Sequence, residues 1–67
     1  MTKKEKQAQN LETAENMTTI ALIHMENMLE KSSAVISLLL LPLIERAELL
    51  RRDIEILRNA IRKDAKS

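Results

Sequence analysis

His24 is the one histidine of the chain, and its neighbours decide what it could do. A helical metal site wants a second imidazole or a carboxylate four residues away, on the same face. Those positions hold Ile20 and Met28, so His24 reads as a half-exposed flanking residue and no metal site is expected. Glu12 with Glu15, and Glu45 with Glu48, stand one helical turn apart and could in principle divide acid and base roles. Interspersed with Lys and Arg, they read instead as solubilising charges. There is no Cys and no second imidazole from which to build a nucleophile–base pair. There is also no Gly for a phosphate-cradling loop and no aromatic on which a base could stack. The expectation is a non-enzymatic protein without a cofactor.

The basic residues raise the question of nucleic acid. Lys3, Lys4 and Lys6 against Glu5 give residues 1–10 a net +2. Residues 45–67 carry seven basic and five acidic side chains, again net +2, although the whole chain is only +1. In a helical hairpin those two ends lie together, so Lys3, Lys6, Asn10, Arg58 and Arg62 are the candidate contacts to a phosphate backbone. Such binding would weaken steeply with salt. Solvated charges offset by Glu48, Asp53 and Glu55 are the simpler expectation.

Position along the chain follows from the apolar spacing. Leu11, Ala14, Thr18, Ala21, Met25 and Met28 alternate steps of three and four, widened by Met17, Ile20, Leu22 and Leu29. This predicts a helix over about 5–30, capped at Asn10 or as early as Thr2. Lys31-Ser32-Ser33 supplies a basic last turn followed by a serine cap, a turn at about 31–33. A longer second helix then covers about 34–63. Pro42 either kinks this helix or belongs to its first turn; the heptad pattern, which passes through it without a phase change, favours the kink.

That pattern is the strongest signal in the chain. Ile36, Leu40, Leu43, Ala47, Leu50, Ile54, Leu57 and Ile61 form an unbroken four–three series, the period of a coiled-coil seam. Leu49, Ile56 and Ile44 lie outside the seam, so the apolar face is broader than a two-stranded coiled coil needs. With 45% hydrophobic residues, a single two-helix domain over 1–67 carries more apolar surface than one mutual face can hide. The expected architecture is an all-α antiparallel hairpin, completed as a dimeric four-helix bundle or by a partner protein. Ile36, Leu40, Leu43, Ala47, Leu50, Ile54, Leu57, Ile61, Leu49 and Ile56 are the candidate partner or oligomer interface. The uncharged segment 32–44 is too short to span a bilayer, and the absence of Cys suits a cytoplasmic location. The expected function is a small helical adaptor or co-chaperone that acts by self-association or by docking its apolar face.

Two stretches resemble known families. Leu39–Leu50 (LLLPLIERAELL) is similar to the first helix of the AroQ-type chorismate mutases, but the arginine those enzymes carry early in this helix has no counterpart. Met1, Thr2, Lys3, Glu5, Lys6, Ala8 and Asn10 resemble the start of the Rop family, small dimeric four-helix bundles that bind paired RNA loops. That resemblance implies RNA contact at Lys3 and Asn10. The family's next contact positions are here Ala14, Thr18 and Met25, in place of an aromatic, a glutamine and a lysine.

Overall fold

A computed structural model describes the backbone of residues 2–66 and the side chains of residues 2–64. Two antiparallel helices make up the hairpin: α1 over Lys3–Lys31 and α2 over Ala34–Lys66. The molecule is an elongated rod of 50 × 16 × 12 Å, and 33 residues of α2 at about 1.5 Å each account for its length.

Local chemistry sets both helix starts. Thr2, in extended conformation, accepts from the Glu5 amide through Oγ1 at 3.1 Å, and its carbonyl accepts from the Lys6 amide. The helix therefore begins at the earlier of the two expected caps, and Asn10 lies exposed inside α1. At the turn, Ser32 leaves helical geometry (φ −92°, ψ 154°) while its hydroxyl donates to the Met28 carbonyl. The Ser33 hydroxyl accepts from the Ile36 amide at 3.4 Å, and the Ser33 carbonyl from the Ser37 amide at 2.9 Å. No described residue has positive φ, so the chain reverses on two serines without needing a glycine.

α2 runs through Pro42 as one helix. Pro42 is its ninth residue, not part of its first turn. The Leu38 carbonyl consequently lacks the amide donor an ordinary residue would supply. Helix propensity in α1 is weakest at Thr13, Thr18 and Thr19. Their hydroxyls donate to the carbonyls of Gln9, Ala14 and Glu15, four residues back, at 3.2, 2.7 and 3.0 Å. This satisfies the polar groups at a small cost in helix stability.

The core is small and lies towards the turn. Leu22, Leu40 and Ile44 are buried, with Met25, Leu29 and Ala47 packed against them. Farther from the turn the interface becomes polar. Arg58 Nη1 lies 2.7 Å from Glu15 Oε2, Arg62 Nη2 donates to Glu12 Oε2 at 2.7 Å, and Lys4 pairs with Asp64. Aliphatic packing thus holds the hairpin, most densely near the turn, and the ion pairs towards the open end, two of them about half exposed, orient the helices more than they stabilise them.

Candidate helix-docking face

The helices meet along a register that differs from the expected seam. α1 turns Ala8, Leu11, Glu15, Thr18, Leu22, Met25 and Leu29 inwards. The expected stripe shares Leu11, Thr18 and Met25 with that line, and Leu22 and Leu29 from its widened edge; Ala14 is partly covered, whereas Ala21 and Met28 are exposed. α2 answers with Ser37, Leu40, Ile44, Ala47, Ile54, Arg58 and Ile61. Half of the predicted heptad, Leu40, Ala47, Ile54 and Ile61, therefore lies in the hairpin itself. Leu40, only 6% exposed, is covered by α1 and is not open to another chain. The other half, Ile36, Leu43, Leu50 and Leu57, remains about half exposed.

The cause of this choice lies in α1. Its inward line contains a carboxylate, Glu15, which needs a charged partner once partly covered. Rotating α2 so that the Ile44–Arg58 side faces inwards brings a guanidinium to Glu15 and places Arg62 within reach of Glu12. The alternative rotation would set Glu15 against leucines. Hydrophobic periodicity alone does not distinguish the two rotations, because both sides of Leu40, Ala47, Ile54 and Ile61 are apolar near the turn.

What remains outside is a continuous face. On a helical wheel, the line Ile36, Leu43, Leu50 and Leu57 adjoins the line Leu39, Arg46, Asp53 and Ala60, which adjoins Val35, Pro42, Leu49 and Ile56. All of these residues are exposed. The helices are antiparallel, so the flank of α1 on the same side carries Ala14, Ala21 and Met28, with Met17 next to them. The opposite side of the hairpin is polar over most of its length, with Glu12, Glu26, Glu48, Glu55 and Arg62. Near the turn, Leu38 and Leu41 are also exposed, off the apolar face.

The structure separates the candidate nucleic-acid contacts. Lys3, Lys6 and Asn10 are exposed on the first turns of α1. Arg58 is mostly covered in the hairpin seam against Glu15, and Arg62 is engaged by Glu12. His24 is exposed beside Asn27, Met28, Lys31 and Ser32, around a shallow depression near the turn. Among the described residues there is no cluster of three side chains suited to a metal ion. No helix among them is long and apolar enough to cross a membrane. No protein family matches the chain, and no curated protein or solved structure shows significant similarity to it.

Proposed function

We propose that this protein is a non-enzymatic interaction module that works by burying the apolar face of α2 against another helical surface. The observation that carries this reading is the row Ile36, Leu43, Leu50 and Leu57, left about half exposed along a two-helix rod. Isolated apolar side chains on a surface are ordinary, whereas a contiguous apolar strip rimmed by charge marks an interaction site. Helix-in-groove recognition and bundle formation both use anchors at this spacing. An RNA-binding role through Lys3, Lys6 and Asn10 is the second reading, motivated by the Rop-like start of the chain. Capture of Arg58 by Glu15 and of Arg62 by Glu12 lends it less support.

The test compares the intact chain with Leu50→Lys after native extraction, following the mass of each assembly and its protein and RNA content. The wild type should run in an assembly larger than one chain, and Leu50→Lys should lose that assembly while keeping its helicity. If the variant retains the wild-type assembly, the apolar face is not the working surface. Loss of co-purifying RNA on Lys3→Ala/Lys6→Ala, with Leu50→Lys unaffected, would favour the second reading instead.

A further inference from the structure

We infer that the occupant of this face is a second copy of the chain, laid antiparallel across α2 so that Arg46 of each copy meets Asp53 of the other. The inference rests on the docking role of the face proposed above and adds the identity and orientation of the partner.

Arg46 and Asp53 are the two charges within the apolar strip. They stand one heptad apart on the line between Leu43–Leu50–Leu57 and Leu49–Ile56, and both are exposed. Neither takes part in the ion pairs found among the described residues, which join Lys4 to Asp64, Arg58 to Glu15 and Arg62 to Glu12. A strip with one positive and one negative charge, neither in an ion pair among the described residues, is complementary to itself when reversed. With a second α2 antiparallel, Arg46 faces Asp53 and Asp53 faces Arg46, both contacts being related by one two-fold axis. With a second α2 parallel and in register, Arg46 would face Arg46 and Asp53 would face Asp53, an arrangement that like-charge repulsion disfavours.

The same register matches the apolar residues. Setting Arg46 opposite Asp53 puts the axis between Leu49 and Leu50. On one flank Leu50 then meets Leu50 of the second copy and Leu43 meets Leu57, and on the other flank Leu49 meets Leu49. Ala14 and Ala21, on the neighbouring flank of α1, add little bulk to hold a second hairpin away. The leucines supply the affinity and the two charges set the direction, since exposed ion pairs by themselves stabilise little.

A charge-reversal cycle read by sedimentation tests the inference on the full chain. Arg46→Asp and Asp53→Arg, each alone, place like charges opposite one another in the antiparallel dimer and should weaken dimerisation about tenfold or more at low salt. The double variant Arg46→Asp/Asp53→Arg should restore wild-type affinity. The loss in the single variants should shrink at high salt. Circular dichroism on each variant checks that helicity is kept. Single reversals that dimerise as tightly as the wild type, or a double variant no better than the singles, would overturn the proposed orientation. If Leu50→Lys still abolishes assembly in that case, the docking face stands and only its occupant or direction is wrong. If the wild type is a folded monomer that loses no partner on Leu50→Lys, both readings fall.

Discussion

Arg58 Nη1 lies 2.7 Å from Glu15 Oε2, with side-chain exposures of 16% and 20%, inside a seam otherwise built largely from aliphatic side chains. The N–H groups of Arg58 are poorly aimed at the carboxylate, and Arg58 Nε and Glu15 Oε2 form no hydrogen bond despite being buried. This contact selects which side of α2 turns towards α1 more than it stabilises the hairpin. Partly buried ion pairs gain little net energy after desolvation, yet removing one partner strands the other.

Glu15→Ala or Arg58→Ala should therefore destabilise the protein by about 1–3 kcal/mol, measured by urea denaturation. Glu15→Leu/Arg58→Leu should be close to neutral or more stable, because the seam then becomes continuous aliphatic packing. A single-residue loss below about half a kcal/mol would show that the pair lies in water in solution.

The core and the outer face should respond differently to truncation. Leu22→Ala or Leu40→Ala removes a buried side chain from the small turn-proximal core and should cost about 2–5 kcal/mol. Leu57→Ala alters a side chain that the hairpin leaves half exposed. Its main effect should be weaker association, seen as a shift of the dissociation curve to higher protein concentration. Equal loss of helicity in dilute Leu22→Ala and Leu57→Ala would argue against that division.

Pro42 occupies an exposed interior position of α2. Pro42→Ala returns an amide donor to the Leu38 carbonyl and removes a ring clash, so it should stabilise the chain by up to about 3 kcal/mol. Thermal melts of the two proteins provide the check, and a lower midpoint for Pro42→Ala would mean that the proline supports a required bend.

The helical hairpin is legible in the sequence because three-and-four spacing, two adjacent serines and the absence of glycine all favour the same arrangement. The two helices fall at Lys3–Lys31 and Ala34–Lys66, each extending two or three residues past the spans read from apolar spacing at one or both ends. The Thr2 cap adds the first turn of α1, and residues 64–66 continue α2 past the expected end without any apolar seam residue. The rotation of α2 was not legible from hydrophobicity. Leu40, Ala47, Ile54 and Ile61 are flanked on one side by Ile36, Leu43, Leu50 and Leu57, and on the other by Ser37, Ile44, Arg51 and Arg58. Choosing between those flanks depends on Glu15, which looks like an ordinary surface carboxylate until its position inside α1's inward line is known. The spacing of Glu12 and Glu15 against Arg58 and Arg62, matched across an antiparallel pair, is the signal that could have found it.

The most direct measurement is sedimentation of the unmodified chain across a concentration series, alongside Leu50→Lys. The exposed row Ile36, Leu43, Leu50 and Leu57 predicts that the wild type passes from one chain to two as concentration rises, while Leu50→Lys stays a helical monomer throughout. A wild-type chain that remains a fully helical monomer at hundreds of micromolar, with a melting midpoint independent of concentration, would contradict self-association through this face.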